Sequence, residues 1–206
     1  MTGIRRHQRG TRAHVGDQRL KHLADIPGRI RAAREHWQWQ GRQRPSFAQV
    51  PGPGQESVWD YPRPPRLAPD ARDVVVRWGD TEVGRTRRAV RVLETAHPPS
   101  FYLPWVDVDR RLFEAASGTS MCEWKGAARY WSLVDGERRL DLVAWSYPQP
   151  FAGAELLADC LAFYPSSLEC RVDGALVTPQ PGGFYGGWIT PELAGPFKGA
   201  PGSAGW

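Results

Sequence analysis

The sequence predicts a mainly β protein: a single compact antiparallel sheet that curls on itself, with one short helix and a C-terminal tail that wraps the domain. Three pairs of apolar-rich segments, each joined by a Gly-Asp or Asp-Gly turn, indicate β-hairpins. A Gly- and Pro-rich stretch after residue 177 carries five aromatic residues. Because water disfavours exposed apolar surface, we expect this stretch to pack on the domain.

The first 50 residues differ from the rest of the chain in charge. They carry 11 of the 27 Lys and Arg residues but 3 of the 22 Asp and Glu residues, a net charge of +8, so residues 51–206 carry −3. We predict that residues 1–50 form a basic, disordered extension, in which only residues 18–40 have helical character, interrupted at Pro27-Gly28. Pro51-Gly52-Pro53-Gly54 then leads into a β-rich domain over residues 51–206.

The first hairpin is predicted from Asp73–Trp78 and Thr81–Thr86, joined by Gly79-Asp80. Residues 56–65 before it contain three prolines and are expected to form an extended arm. Ala89–Glu94 follows the hairpin and alternates apolar and polar side chains. It is expected to pair with the hairpin as a third strand.

The second hairpin is predicted from Ala128–Val134 and Arg139–Trp145, and the third from Leu168–Val172 and Ala175–Val177. Each has an Asp-Gly pair at its turn, a combination that favours tight hairpins. Between these hairpins, Ala152–Leu161 has apolar residues at helical spacing and predicts the short helix.

Cysteine and hydropathy patterns predict no cofactor and no membrane partner. Cys122, Cys160 and Cys170 form no Cys-x-x-Cys pair, so neither a zinc site nor a disulfide framework is expected. No apolar run approaches the ~20 residues that a membrane-spanning helix needs. We therefore expect a cytoplasmic protein with reduced thiols. The sequence does not predict an oligomeric state.

The segment Cys122–Tyr130 predicts a binding site. It ends one strand, turns at Gly126 and begins another, at a sheet end where sites are usually built. Trp145 and Tyr147 lie two residues apart and should point to one face of the neighbouring strand. We predict a pocket in which aromatic residues stack on a small planar or cyclic ligand while charged residues bind its polar groups. The aromatic candidates are Trp124, Tyr130, Trp145 and Tyr147, and the charged candidates are Lys125, Arg88 and Glu94.

Other interpretations remain open. These aromatic residues could be core residues, with the charges paired at the domain rim, Glu94 to Arg88 or Lys125. The protein could instead be an enzyme that acts on a small polar metabolite, through Cys122 as nucleophile or through the Glu94/Lys125 pair. Glu94 with Glu123 could act as acid and base, or with His97 as a metal site, although an exposed loop position is the ordinary outcome for His97.

A nucleic-acid-associated role rests on the basic residues 1–50 alone. Binding of this kind depends on Lys and Arg contacts to phosphates and weakens steeply with salt. The charge of −3 on residues 51–206 disfavours nucleic acid as a partner of the domain itself. The expected partner is therefore a small molecule whose identity the sequence does not reveal.

Five stretches of the sequence resemble the bacterial family called domain of unknown function 427, and together they extend the resemblance over residues 56–206. They are Glu56–Pro64, Arg88–Pro104, Cys122–Tyr130, Trp145–Pro148 and Phe163–Pro165. The resemblance implies a compact fold of the β-tent, or Mss4-like, group, which includes methionine sulfoxide reductase B and the drug-binding domain of cereblon. Many members of that group bind zinc through two Cys-x-x-Cys pairs, which are absent here, so the resemblance implies no metal.

The family is described in some classifications as nucleotidyltransferase-like. The sequence contains no Gly-Ser with paired-Asp pattern and no phosphate-binding loop that would support this description. Similarity of fold alone does not identify a function.

Overall fold

The structure, a computed structural model, describes residues 28–206. This part contains one α-helix, α1 (Gly28–Glu35), and fifteen strands. The strands are β1 (Glu56–Ser57), β2 (Arg66–Asp70), β3 (Val74–Trp78), β4 (Thr81–Thr86), β5 (Ala89–Leu93), β6 (Ser100–Pro104), β7 (Phe113–Cys122), β8 (Gly126–Asp135), β9 (Arg138–Ser146), β10 (Cys160–Phe163), β11 (Glu169–Val172), β12 (Ala175–Leu176), β13 (Thr178–Pro179), β14 (Trp188–Ile189) and β15 (Leu193–Ala194). Short 3-10 turns lie at Val58–Asp60, Trp105–Asp107, Arg110–Leu112 and Glu155–Leu157.

The strands form two main sheets. The larger sheet has seven antiparallel strands in the order β2-β5-β6-β10-β9-β8-β7, and the smaller has four in the order β12-β11-β3-β4. Two minor pairs consist of β1 with β15 and β13 with β14. The predicted mainly β class with a large antiparallel sheet is confirmed. The strands form more than the single sheet expected, and within the described residues the edge strands β2 and β7 do not pair.

All three predicted hairpins are present, as β3–β4, β8–β9 and β11–β12. Their turns contain residues with positive φ, which the Gly-Asp and Asp-Gly pairs accommodate. Gly79 has φ +59°, Gly136 +60°, and Asp173 and Gly174 +47° and +80°. In the β11–β12 turn the two successive positive φ angles, at Asp173 and Gly174, match the backbone twist of a tight hairpin turn.

The predicted third strand exists as β5, but its expected partner was wrong. β5 pairs with β2 and β6 inside the large sheet rather than with the β3–β4 hairpin. Its buried residues explain this position, because Ala89, Val92 and Leu93 belong to three different hydrophobic clusters. A strand inside the large sheet can contribute to clusters on both faces. Alternation in the sequence identifies a strand but not its partner.

The helix predicted over Ala152–Leu161 was wrong. The segment forms the 3-10 turn Glu155–Leu157 and then enters β10, whose four residues are all buried. β10 lies between β6 and β9, so its backbone groups pair on both sides, and burial on both faces removes the alternation that marks a strand. The described α-helix is α1, inside the basic N-terminal segment, and no described helix is long and apolar enough to cross a membrane.

The large sheet carries an apolar cluster on each face. One cluster joins the two main sheets and contains Val76 and Cys170 from the small sheet with Leu103 and Phe163 from the large one. The other contains Tyr102, Trp145, Tyr147 and Ala162 and lies on the opposite face of the large sheet. This second face carries the candidate site.

The N-terminal and C-terminal segments pack against each other beside the second face. The Gln49 amide donates to the Gly195 carbonyl oxygen at 2.9 Å, and β1 pairs in parallel with β15. Trp206 lies 5.1 Å from the ring centroids of both Phe47 and Trp59. The predicted wrapping tail is therefore present. Residues 28–50 contact the domain rather than extending from it, whereas residues 1–27, the rest of the predicted extension, lie outside the described residues.

Candidate functional site

A partly open cavity of about 240 Å³ lies on the second face of the large sheet. Six of the residues predicted for the pocket, for Cys122 catalysis or for the Glu94/Lys125 pair line it: Glu94, Cys122, Lys125, Tyr130, Trp145 and Tyr147. Glu123, predicted as a partner of Glu94 in acid–base chemistry, lines it as well. They come from the end of β5, the β7–β8 turn, β8 and the end of β9. The spacing argument therefore located part of the wall, although it did not identify the strands that complete it.

A row of side chains across four strands builds the aromatic wall. Tyr130 on β8 lies directly opposite Trp145 on β9, which pairs with Ala162 on β10, which in turn pairs with Tyr102 on β6. The small Ala162 side chain leaves room for its two large neighbours to meet, and the Trp145 Nε1–H donates to the Tyr102 hydroxyl at 2.9 Å. This bond satisfies the indole N–H, as burial requires.

Trp145 and Tyr147 are largely buried, with 7% and 5% of their surface exposed. Their contact with a ligand is limited to the small part of each ring that faces the cavity. Gly186 of the C-terminal tail packs on Trp145 so closely that any side chain at this position would collide with the indole. The two rings therefore form the buried part of the cavity wall and present only a small surface to a ligand.

The β7–β8 turn carries the polar end of the cavity. Gly126 begins β8 with φ +104°, a conformation that favours glycine, and the Lys125 carbonyl accepts a hydrogen bond from the Phe151 amide at 3.1 Å. These interactions hold the turn against the chain that follows β9. Cys122 is half-buried at the start of the turn, and its thiol is free.

Three charged side chains form a buried network at this end. Glu94 Oε1 accepts from Arg63 Nε at 3.2 Å, and Glu94 Oε2 lies 3.7 Å from Lys125 Nζ. The Arg63 side chain is 1% exposed, and those of Glu94 and Lys125 are each 13% exposed. The Glu94–Lys125 pairing expected from the sequence is present. Its expected alternative, a pairing with Arg88, was wrong.

This network keeps Glu94 and Lys125 charged. Burial alone raises the pKa of Glu94, but His97, Lys125 and Arg63 together hold it below its ordinary value. Burial alone lowers the pKa of Lys125, but Cys122 and Glu94 outweigh this effect and raise it. The pKa of Glu94 moves further below pH 7 and the pKa of Lys125 moves further above it. The pair therefore suits electrostatic binding better than proton transfer.

Two of the predicted residues are not among the cavity-lining residues. Arg88 is 66% exposed and pairs with Asp107 at 2.7 Å. Trp124 lies in the turn beside Cys122, but its ring packs under the guanidinium of Arg34, 5.1 Å away, and its buried Nε1 has no hydrogen-bond partner among the described residues. A role in ligand binding for these two residues stays a prediction.

His97 was expected to be an exposed loop residue, and this expectation was wrong. Its half-buried ring lines the cavity, with Nδ1 3.0 Å from Gln180 Nε2 and its centroid 4.7 Å from that of Tyr185. Gln180 and Tyr185 belong to the C-terminal tail, which covers this loop. The sequence showed that the tail packs on the domain but not which loop it covers.

Protonation of His97 should destabilise the fold. Burial, and then Arg63, Lys198 and Lys125, lower the pKa of His97 from 6.5 to about 4, although Glu94 opposes the shift. Between these values the unfolded chain binds a proton that the folded chain does not, so stability should rise with pH over this range. We expect the NMR chemical shift of the His97 ring to titrate with a midpoint near 4. A midpoint near 6.5 would contradict this prediction.

A residue of the N-terminal segment also lines the cavity. Trp37 donates its Nε1–H to Glu123 Oε1 at 2.9 Å, and both Arg63 and Lys198 lie over its ring, 4.3 and 4.2 Å from the centroid. The prediction that residues 1–50 form an extension excluded Trp37 from consideration. The high aromatic content of residues 37–47 was the signal that could have identified it.

The other predicted chemistries find less support in this geometry. Within residues 28–206, no three His, Cys, Asp or Glu side chains come together as metal ligands, so Glu94, Glu123 and His97 do not form the metal site considered above. Cys160 and Cys170 are buried, and burial raises the pKa of both thiols, that of Cys160 to about 11. Cys122 is therefore the cysteine at the cavity.

Comparison with known families places this site in context. Residues 66–178 match the family model described as "Domain of unknown function (DUF427)". The matched region runs from β2 to the first residue of β13 and contains Glu94, the β7–β8 turn and the aromatic row, whereas Trp37 and Tyr185 lie outside it. No curated protein matches the chain. Because the match covers more than half of the 206 residues, the chain belongs to the DUF427 family, as its resemblance predicted.

Proposed function

We propose that the protein binds a small planar or cyclic molecule in the aromatic pocket. One observation carries this proposal: aromatic side chains from three strands of the large sheet converge on one partly open cavity with charged side chains from the β7–β8 turn and from Glu94, the residue after β5. Clefts that combine apolar walls with a few convergent polar groups are the usual form of a ligand site.

The size of the cavity limits the ligand. Its volume of about 240 Å³ is below the ~300–1,000 Å³ of pockets that hold drug-sized molecules. A single ring with one or two substituents is therefore the class of molecule that the cavity favours.

The charged network favours binding over catalysis by Glu94 and Lys125. A general acid or base works best with a pKa near the operating pH, and the shifts of these two groups lead away from it. An enzyme that uses Cys122 as nucleophile remains an alternative. A nucleic-acid-associated role depends on the basic N-terminal residues, most of which lie outside the described range.

Intrinsic fluorescence can test the proposal, because Trp145 lines the cavity and Trp131 does not. Trp131 lies on the other face of the large sheet, where its Nε1–H donates to Ser146 and its ring packs on Trp105. A screen of small cyclic compounds by thermal shift should identify binders, since a ligand that binds the native state raises its melting temperature. Because Trp37 also lines the cavity, Trp145→Phe combined with Trp37→Phe should remove most of the fluorescence change caused by such a binder, and Trp131→Phe should retain it.

A size-increasing change provides a second test. Ser100 lines the cavity, and Ser100→Phe should obstruct it and weaken binding at least about tenfold, equivalent to ~1.4 kcal/mol. The exposed Ser117 on β7 offers a matched control, since Ser117→Phe leaves the cavity unchanged. Equal affinity for the wild type and both Ser variants would show that the compound binds elsewhere.

A further inference from the structure

The side-chain amide of Gln180 has one possible orientation. Gln180 is buried and lines the cavity, and its Oε1 accepts from the Gly187 amide at 3.1 Å. Its Nε2 donates to the Lys198 carbonyl oxygen at 2.8 Å. A backbone N–H can only donate and a backbone carbonyl can only accept, so exchanging Oε1 and Nε2 would place donor against donor and acceptor against acceptor. These two contacts therefore fix which end of the amide carries the N–H groups.

This orientation fixes the tautomer of His97. Gln180 Nε2 has two N–H donors, and the one not bound to Lys198 points to His97 Nδ1, 3.0 Å away. Nδ1 must therefore accept, and it carries no proton. Because burial lowers the pKa of His97 to about 4, the ring is neutral at pH 7. The proton of a neutral imidazole whose Nδ1 accepts lies on Nε2.

The Nε2–H of His97 is open to a ligand. Nε2 has no hydrogen-bond partner within residues 28–206, and it is not among the buried polar atoms of that range that lack one. Because His97 lines the cavity, a molecule in the cavity can reach this donor. The ring is held between Gln180 and Tyr185, whose ring centroid lies 4.7 Å away at an interplanar angle of 80°. His97 therefore presents a donor from a fixed position.

The charged side chains at the cavity do not require a charged ligand. Glu94 bonds Arg63 and lies 3.7 Å from Lys125. Glu123 accepts from Trp37. A neutral molecule can occupy the cavity without breaking these pairs, and breaking them would be costly because their side chains are largely buried. What the imidazole donor requires of such a molecule is an acceptor atom, since a buried donor without a partner is unfavourable.

We propose that His97 selects the ligand: its Nε2–H donates to a hydrogen-bond acceptor, a carbonyl oxygen or an unprotonated ring nitrogen, on a neutral cyclic molecule. The inference deepens the pocket-binding function proposed above and rests on it. It orients the ligand, with its acceptor atom at the β5–β6 loop beneath the C-terminal tail and its ring toward the aromatic row.

NMR of the nitrogen-15-labelled full chain at pH 7 tests the tautomer without a ligand. Correlations between the ring nitrogens and the carbon-bound ring protons differ between the two neutral tautomers. We expect His97 to show the Nε2–H form alone, whereas the exposed His36 should show an averaged mixture of forms. The signals that His97→Asn removes are those of His97. The Nδ1–H form at His97 would overturn the proposal and leave the pocket-binding function standing.

Two probes of the same shape test the donor role. Acetophenone carries a carbonyl oxygen where α-methylstyrene carries a CH2 group, and each is a single ring with one substituent. NMR titration gives the Kd of each probe, and the ratio of α-methylstyrene to acetophenone reports the preference for an acceptor. His97→Asn keeps an acceptor for Gln180 but has no atom at the position of Nε2. His97→Gln is one carbon longer and can place an N–H there.

We expect the Kd ratio to fall about threefold to tenfold in His97→Asn, which corresponds to the net contribution of one hydrogen bond. His97→Gln should retain most of the wild-type ratio. The probes differ in hydrophobicity, but this difference is common to the wild type and both variants and cancels when their ratios are compared. Ser100→Phe should weaken the binding of both probes, because it obstructs the cavity.

The possible results separate the two proposals. Equal Kd ratios for the wild type and His97→Asn, with both probes displaced by Ser100→Phe, would overturn the role of His97 and leave the pocket standing. A ratio that falls equally in His97→Asn and His97→Gln would also overturn that role, because the donor position would then not matter. If neither probe binds the wild type at millimolar concentration, or if Ser100→Phe binds both as tightly, the pocket-binding function fails and the role of His97 fails with it.

Discussion

Replacing Glu94 by glutamine is expected to lower the free energy of unfolding by about 3–5 kcal/mol, because removing one partner of a buried ion pair leaves a charge uncompensated. Glu94 bonds Arg63 and faces Lys125, and both cations are largely buried. Glutamine keeps the size and one acceptor oxygen but removes the negative charge. The loss should therefore come from electrostatics rather than from packing.

Urea unfolding at pH 7 measures this effect, with Glu114→Gln as the matched control. Glu114 is 59% exposed and pairs with Arg139, which is 48% exposed, so the control should cost no more than about 1 kcal/mol. Because the folded-state pKa of Glu94 is lowered, its contribution is present above its unfolded pKa and is lost as the pH falls through the folded value. The difference between wild type and Glu94→Gln should therefore shrink at acid pH. Equal stability of Glu94→Gln and Glu114→Gln at pH 7 would show that the buried charged network does not stabilise the fold.

Replacing Trp188 by alanine is expected to lower the free energy of unfolding by about 3–5 kcal/mol, the usual cost of truncating a buried aromatic residue. Trp188 is completely buried and stacks on Phe101, with ring centroids 4.9 Å apart. Its Nε1–H donates to the Phe163 carbonyl oxygen at 3.0 Å, and its amide donates to the Pro99 carbonyl oxygen at 2.8 Å. Truncation would open a cavity and leave the Phe163 carbonyl without its partner.

The prediction has a control in the same segment. Phe184 lies four residues before Trp188 and is 75% exposed, so Phe184→Ala should change stability by no more than about 0.5 kcal/mol. Both residues lie beyond the region that matches the family model, residues 66–178. A Trp188→Ala protein as stable as Phe184→Ala would mean that the tail is not part of the core.

Local sequence features predicted most of the hairpins and part of the pocket. Gly-Asp and Asp-Gly pairs identified the turns because they tolerate positive φ, and a spacing of two residues placed Trp145 and Tyr147 on one face. Both signals act over a few residues. They therefore require no knowledge of the rest of the fold.

Long-range pairing could not be predicted in the same way. The partner of β5 depends on which sheet covers each of its faces, and β10 lacks alternation because it is buried on both sides. His97 lines the cavity beneath the C-terminal tail, and Trp37 lines it as part of the N-terminal segment. No short sequence pattern encodes where these two segments pack. Composition assigned the N-terminal residues to an extension, although residues 28–50 contact the domain.

The sequence by itself determined the mainly β class, the three hairpins, the family and six residues of the cavity wall, because turn chemistry and side-chain alternation are properties of neighbouring residues. Only the tertiary structure decided that Glu94 pairs with Arg63 and Lys125, that Arg88 pairs elsewhere, and that the tail covers His97. These contacts join residues that are distant in the chain. Their energies depend on burial and on the distance between charges, and both quantities exist only after the chain has folded.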